Sequence, residues 1–570
     1  MVSKAGEKLS KDRVVIIEDE KLGINTSYRI GKELRKVDPY YYTYNTYCKL
    51  RWRGKNVVDV FQREFRDKSG EHYRRKIEEG KVTINKQVAK LDTILKDGDL
   101  ITHKIHRHEP AVSAKEIQII YENKDMVVIN KPAGIPVHPV GRYRYNSISE
   151  IFQFEKKMNI LVSHRLDRLT SGIMLLSKNG EYSEQLRNKF INRDLVKEYI
   201  AKVKGNFKKM DENGKEINEV LIDKPLYKYD ARLTLNKVDE EKGKTAKTYI
   251  RKVSYDKESD TSIVICRPLT GRTHQIRVHL QYLGFPIAND PIYSNVKVWG
   301  EALGKENKID YRLVQKRLDK FGKSEPENSW YYQREIEDGK CNKNGEVLNG
   351  KHCKECEDEL YSDPDVRNLE IWLHSFRYKT KDSTEGEQWE FQTEIPEWAM
   401  EKHRKHMETA MEEARKCEYT DRAFSVGAVL VLDDEVLATG YSRELPGNTH
   451  AEECAIKKYF AQVSSEQDEQ KLPVGTVLYT TMEPCSHRLS GKTPCVERIL
   501  RYGIRTCFVG VLEPDTFVAN NTGRKTLAAN GVLYAQVPDV EARCLALATG
   551  RNPDADADAD QQRKKPKLAL

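Results

Sequence analysis

Three short segments concentrate ionisable side chains in a way that suits chemistry better than packing. The run His164-Arg165-Leu166-Asp167-Arg168-Leu169-Thr170-Ser171-Gly172 sets one carboxylate between two guanidinium groups and closes in a Thr-Ser-Gly turn. Lys197-Glu198-Tyr199 follows, and Thr270-Gly271-Arg272-Thr273-His274-Gln275-Ile276-Arg277-Val278-His279 crowds basic side chains into one stretch. A lone Asp beside Arg is ordinarily a surface ion pair of little consequence. Three such segments close together in one chain point to a site. A second constellation lies near the C-terminus: Thr449-His450-Ala451-Glu452-Glu453-Cys454, then Thr481-Met482-Glu483-Pro484-Cys485-Ser486-His487, then Thr493-Pro494-Cys495. His450, Cys485 and Cys495 make three ligands for a tetrahedral Zn2+ with one position left open. Water activated at that position, with Glu452 as a carboxylate that moves protons without binding metal, makes a hydrolytic centre. The competing reading is a structural zinc or a set of buried thiols, but Glu452 stands at the spacing that catalysis needs. Cys454, Cys507 and Cys544 read as small buried apolar residues.

The elements that must position these groups follow from patterning. The chain has 570 residues, 38% hydrophobic and 32% charged, which implies several domains with real cores and very polar surfaces. Its net charge of +9 is too mild to prove nucleic-acid binding unless the positive charge is clustered. Eleven cysteines in so long a chain argue against a disulfide scaffold. No apolar run of membrane-spanning length and no signal peptide is present, so a cytoplasmic protein without membrane partners is expected. Residues 1–54 form an N-terminal extension, its first 50 residues polar, tyrosine-rich and without an assignable fold. Over 55–110 the spacing of Val57, Val60, Phe61 and Phe65 predicts a helix. A second helix carries His72, Arg74, Arg75 and Lys76, and a hairpin-like piece runs from Lys81. Strand-like segments recur over 111–380, interrupted by a charged, weakly hydrophobic insertion at about 296–365. A polar linker spans 381–395, strands and helices alternate over 396–549, and a tail from 550 to 570 reads as disordered. Within the insertion, Cys353-x-x-Cys356 is half of a zinc-ribbon spacing, with Cys341 and His352 nearby; the alternative is a charged loop with free thiols.

The first three segments, with Lys131-Pro132-Ala133-Gly134 and Val137-His138-Pro139, resemble the RluA-type RNA pseudouridine synthases, and the 55–110 module resembles an S4-like RNA-binding domain. The resemblance implies a reaction that breaks the uracil–ribose bond, rotates the base and rejoins it through carbon, with no cofactor. It makes Asp167 the attacking carboxylate, Tyr199 a residue that contacts the flipped base and assists proton transfer, and Arg165 one that holds the nucleotide out of its stack. A nucleophilic carboxylate must be ionised and aimed although buried, and an arginine partner supplies both conditions. Arg272 is the first choice for that partner and Arg277 the second.

His-x-Glu followed by Pro-Cys and a later Cys is the zinc deaminase signature. Nucleoside and RNA deaminases usually separate the two cysteines by two residues; here nine intervene, Ser486 to Pro494. That insert resembles the riboflavin-pathway deaminases, as do Phe424 to Val429 and Val509 to Asp515. Where the bacterial family has Asn-Pro, this chain has Phe424-Ser425. The resemblance implies a pyrimidine phosphate substrate, 2,5-diamino-6-ribitylamino-4(3H)-pyrimidinone 5′-phosphate, contacted by His487 and Lys492, with the reductase on a separate protein. The order of the two halves is similar to fungal bifunctional proteins and implies tRNA, at position 32 of the anticodon loop, as the partner. The expected fold class is therefore multidomain: an α+β pseudouridine synthase domain with an S4-like N-terminal module, then an α/β cytidine-deaminase-like three-layer domain. Two alternatives remain: an RNA-editing deaminase served by a catalytically silent synthase-like half, and a synthase half that only tethers RNA. The nine-residue spacing and the presence of Asp167, Tyr199 and Arg272 argue against them.

Overall fold

The computed structural model describes residues 12–550 apart from 65–69, 212, 215, 218, 231–232, 322–347, 382–387, 464–470, 489–490 and 515–520. The tail beyond 550 and Cys341 lie outside the described residues.

The tyrosine-rich N-terminus, unassigned from sequence, forms strands. Arg13–Asp19, Ile24–Ile30, Leu34–Val37 and Val112–Ser113 make one antiparallel sheet. Tyr40–Tyr47 pairs along its length with Leu100–Arg107, which also pairs with Val82–Ile84. Helices Val57–Glu64 and Gly70–Glu78 close over this second sheet through Val57, Phe61, Tyr73, Ile77 and Ile101. A sheet therefore crosses the boundary drawn at 54/55. The first sheet shares a core with the next domain, and the buried Tyr28 hydroxyl donates to the Tyr145 carbonyl at 2.6 Å.

A nine-stranded sheet follows. In spatial order its strands are Glu219–Asp223, Lys247–Asp256, Thr261–Pro268, Leu195–Lys204, Leu373–Thr380, Ser171–Ser177, Met126–Lys131 and Gln118–Glu122, with Glu390–Gln392 added beside Leu373–Thr380. The stretch expected to be a linker, 381–395, thus ends in a strand of this sheet. Leu373–Thr380, reached only after the insertion, lies at its centre and makes its single parallel contact, Ser171 opposite His374 and Gly172 opposite Ser375. Gly172 sits at φ +110°, and a Cβ there would lie 2.2 Å from the Ser375 carbonyl oxygen. The glycine that ends the Asp167 run is therefore what lets the two strands touch. The first part of the insertion is not a loop: Val298, Trp299, Val314 and Leu318, from helices Val296–Trp299 and Tyr311–Phe321, belong to a buried apolar cluster.

The C-terminal domain is a three-layer α/β fold. Its sheet runs Glu435–Tyr441, Gly427–Leu432, Val477–Met482, Thr506–Val511, Leu533–Gln536, the last three strands parallel. Helices Glu401–Ala414 and Glu541–Ala548 cover one face, Ala451–Gln462, Cys495–Arg501 and Gly523–Ala529 the other. Cys454, Cys507 and Cys544 are buried, as expected.

The large sheet is apolar on both faces. Ala201, Val264 and Cys266 pack against helix Gln275–Tyr282, while Ile200, Val253, Ile265 and Phe376 enter the same cluster as Met407, Met411, Tyr479 and Phe508 of the C-terminal domain. Lys252 and Lys208 add ion pairs to Asp433 across the junction, at 2.8 and 2.7 Å. Phe376→Ala, which empties part of this shared core, is expected to cost about 3–5 kcal/mol and to lower the soluble yield of both domains together, as read by limited proteolysis of each half.

Candidate functional sites

Asp167 lies in the loop before strand Ser171–Ser177, in a tight turn in which its carbonyl accepts the Thr170 N–H at 3.2 Å. The loop is pinned from below by Lys131, fully buried, whose ammonium donates to the carbonyls of Pro132 and Ile135 at 2.9 Å and of Arg168 at 3.2 Å. Burial, with Arg168 beside it, lowers the Lys131 pKa to about 7. The Asp167 side chain remains 27% exposed. It sits where two cavities meet, one of about 700 Å³ running under the N-terminal module and one of about 630 Å³ lined by Phe190, Tyr199 and Arg272.

The guanidinium at Asp167 is Arg277, not the first-choice Arg272. Arg277 comes from the first turn of helix Gln275–Tyr282, is 2% exposed, and donates from Nη1 to Asp167 Oδ2 at 3.2 Å. Arg272 is exposed at the rim, its Nε donating to the Thr245 carbonyl at 3.2 Å. The reason is geometric: Arg272 precedes the helix, whereas Arg277 lies on its buried face. Arg277 is itself held by the fully buried Asp290, through Nε to Oδ2 at 2.6 Å and Nη2 to Oδ1 at 2.9 Å. His274, at the helix N-cap with φ 58°, places Nε2 at 3.6 Å from Asp167 Oδ2, and its Nδ1 is 3.0 Å from the Tyr293 hydroxyl. Burial works to raise the Asp167 pKa, but His274, Arg277 and Arg165 outweigh it and hold the carboxyl below its ordinary value. Burial lowers His274 to about 4, so near neutrality the guanidiniums carry the compensating charge. Tyr199 lines the cavity that Asp167 lines, its hydroxyl 2.7 Å from that of Tyr378, and Arg165 lies at the junction of both cavities. Sequence reasoning missed Asp290; its signal was one acid inside the apolar stretch Phe285 to Tyr293.

Removing Arg277 would leave the fully buried Asp290 without its guanidinium and Asp167 without its hydrogen-bonded one. Arg277→Ala is expected to cost about 3–5 kcal/mol, the scale of a broken buried pair, whereas Arg272→Ala should stay within about 0.5 kcal/mol. Denaturant unfolding of the two variants, run side by side, checks the contrast.

In the C-terminal domain His450 caps helix Ala451–Gln462, Glu452 follows in its first turn, and Cys495 opens helix Cys495–Arg501. Strand Val477–Met482 delivers Cys485 to the same point. The donor atoms of His450, Cys485 and Cys495 lie within 4.8 Å of one another, His450 Nδ1 standing 3.5 Å from Cys485 Sγ and 3.4 Å from Cys495 Sγ. Tetrahedral zinc with bonds of about 2.3 Å to sulfur and 2.0 Å to nitrogen gives edges of about 3.5 Å, so the donor set fits the ion. Glu452, 3% exposed, accepts from the Thr480 hydroxyl at 3.3 Å and reaches the Cys495 sulfur at 3.2 Å; burial, ahead of its neighbours, raises its pKa. A cavity of about 160 Å³ opens onto these groups, lined also by Arg422, Phe424, His487 and Glu513. Lys492, expected to contact substrate, is not among its lining residues; its ammonium donates to the Gly447 carbonyl. Arg422 is a cation that does line the cavity.

A part-exposed carboxylate held by a helix-borne arginine and histidine in one domain, and a His-Cys-Cys centre in the other, define a chain of two enzymatic classes. The family description "RNA pseudouridylate synthase" matches residues 125–282, and "Cytidine and deoxycytidylate deaminase zinc-binding region" matches 400–511. The chain is 47% identical to the Saccharomyces cerevisiae protein named tRNA pseudouridine(32) synthase, mitochondrial, over 65% of this chain and 78% of that one. It is 31% identical to the tRNA pseudouridine(31) synthase of the same yeast, over 64% and 95%. Its C-terminal part is 43% identical to the diaminohydroxyphosphoribosylamino-pyrimidine deaminase of Schizosaccharomyces pombe, over 26% of this chain and 36% of that one. The chain belongs to the RluA-type pseudouridine synthase family and carries, in addition, a domain of the cytidine and deoxycytidylate deaminase zinc-binding type.

Proposed function

We propose that this chain isomerises uridine to pseudouridine at position 32 of the tRNA anticodon loop and deaminates 2,5-diamino-6-ribitylamino-4(3H)-pyrimidinone 5′-phosphate. The observation that carries the first half is Asp167, kept ionised by Arg277 and open to two joined cavities. The uridine must leave its stack to reach that carboxylate, which favours a loop nucleotide. Arg165, at the junction, holds the flipped nucleotide out; Asp167 attacks it; Tyr199 lines the base side and assists proton transfer. The two helices and sheet over the larger cavity support an S4-like role in gripping RNA, with His72, Lys76 and Lys81 facing the space. The greater likeness to the relative named for position 32 than to the one named for position 31 supports the former site.

For the second half, His450, Cys485 and Cys495 would hold a zinc ion, which would supply the Lewis acidity that activates water at neutral pH. Glu452 takes the proton of the attacking water and delivers it to the departing amine. His487 and Arg422 stand on the cavity wall where a phosphate end would lie, and Phe424 gives it an apolar side. Among the described residues no helix is long and apolar enough to cross a membrane. The described cysteines are unpaired, which suits a reducing compartment such as the cytosol.

The test is direct. Purified full-length protein is incubated with an anticodon stem-loop, whose pseudouridines are mapped, and separately with the diaminopyrimidine, from which ammonia is measured. Pseudouridine elsewhere than position 32 would overturn the site, and absence of ammonia release would overturn the substrate.

A further inference from the structure

The half-ribbon Cys353-x-x-Cys356 finds its partners far away in sequence. Cys353 Sγ lies 3.4 Å from His106 Nδ1, and Cys356 Sγ lies 3.5 Å from His108 Nε2. One donor atom from each of the four residues falls within 4.8 Å of the others. The histidines come from the end of strand Leu100–Arg107 and the residue just past it, and the cysteines from the turn between strands Leu348–His352 and Glu359–Tyr361. His352, considered from sequence, is exposed and pairs with Glu359 instead. The sulfur–nitrogen separations match the edges of about 3.5 Å that tetrahedral zinc requires, and they repeat those of the His450 centre.

Three further observations point the same way. The Glu355 N–H donates to Cys353 Sγ at 3.4 Å, an arrangement that stabilises a thiolate. The Glu355 carboxylate stands 3.6 Å from His106 Nε2, the nitrogen that faces away from Cys353, as a carboxylate orienting a ligand histidine does. Finally, the described part of the hairpin adds no residue to a buried apolar core. Two-stranded hairpins are marginal alone, and among the described residues none from 349 to 361 belongs to a buried apolar cluster. Its polar ties include Asp358 to His72 and Arg75, at 3.3 and 3.7 Å.

We propose that His106, His108, Cys353 and Cys356 form a second, structural zinc site, which clamps the end of the insertion onto the N-terminal module. Four protein ligands leave no open position, so the site is structural rather than catalytic. Its place gives it a consequence for RNA: Glu355, Cys356 and Asp358 line the same cavity of about 700 Å³ that Asp167 lines, so the metal would fix one wall of the cleft.

Zinc stoichiometry of the full chain tests this. The wild type should hold two zinc ions, Cys353→Ser/Cys356→Ser one, and Cys485→Ser one, so the two sites fail separately. His106→Cys, which exchanges one ligand for another, should keep two. The paired-serine variant should bind tRNA more weakly and leave deamination unchanged. A wild type with no zinc lost on Cys353→Ser/Cys356→Ser would overturn the site, and so would a Cys353–Cys356 disulfide in the intact mass of protein purified under reducing conditions. Should the serine variant not fold, cadmium-loaded wild type still decides: two cadmium resonances are expected, and a single one overturns the proposal.

Discussion

Asp167→Ala is expected to reduce pseudouridine formation by roughly 10⁴-fold or more, the scale on which removal of an attacking side chain falls, while the protein stays folded and bound to tRNA. The fold should persist because Arg277 keeps both of its hydrogen bonds to the buried Asp290 when Asp167 is gone. RNA binding should persist because Arg165 and the cavity walls are untouched. Pseudouridine mapping and a tRNA binding isotherm on the same preparation separate the two effects; a variant that also loses binding would make Asp167 a structural residue. The pH profile gives an independent check. The Asp167 pKa is depressed, so its carboxylate is already ionised well below neutrality. Its contribution to stability is present above the unfolded-state pKa of about 3.9 and is lost as pH falls through the lower folded value. The rate of the synthase should therefore show no acid limb from this group between about pH 7 and 5, and a rate that halves near pH 6 would contradict the assignment.

Glu452→Ala should reduce deamination by about 10²-fold or more, the usual share of a positioned proton carrier. It leaves His450, Cys485 and Cys495 in place, so the zinc content at that centre should not change. Metal analysis alongside an ammonia assay distinguishes a lost proton carrier from a lost metal. Pseudouridine formation by this variant should match wild type, since no group near Glu452 lines the cavities of Asp167. Such separation is chemical and does not extend to folding. The two domains share an apolar cluster through Ile200, Val253, Phe376, Met407 and Phe508, so excising residues 390–570 would expose one side of it and remove strand Glu390–Gln392 from the synthase sheet. Independent folding of the halves, which the polar stretch near residue 380 suggests from sequence, does not follow from this architecture.

What the sequence by itself determined is the chemistry carried on short, contiguous segments. The His450–Glu452 pair with Cys485 and Cys495 names its residues because a zinc centre needs particular side chains at fixed local offsets, while the Asp167 run and the nine-residue spacing speak through the families they resemble. In the C-terminal part the alternation of strands and helices was legible from apolar patterning, while the three-layer arrangement was implied by the resemblance to zinc deaminases. Tertiary structure decided everything that depends on two distant segments meeting. Arg272 and Arg277 lie only five residues apart along the chain, and only the start and phase of helix Gln275–Tyr282 turn Arg277 inward and Arg272 out to solvent. Tyr40–Tyr47 becomes a strand because Leu100–Arg107 supplies its hydrogen bonds, a partner no local periodicity reveals. Leu373–Thr380 completes the centre of a sheet begun some 250 residues earlier. Cys353 and Cys356 meet His106 and His108 for the same reason: a cluster assembled across some 250 residues leaves only half of its pattern at either place, and the fold alone brings the halves together.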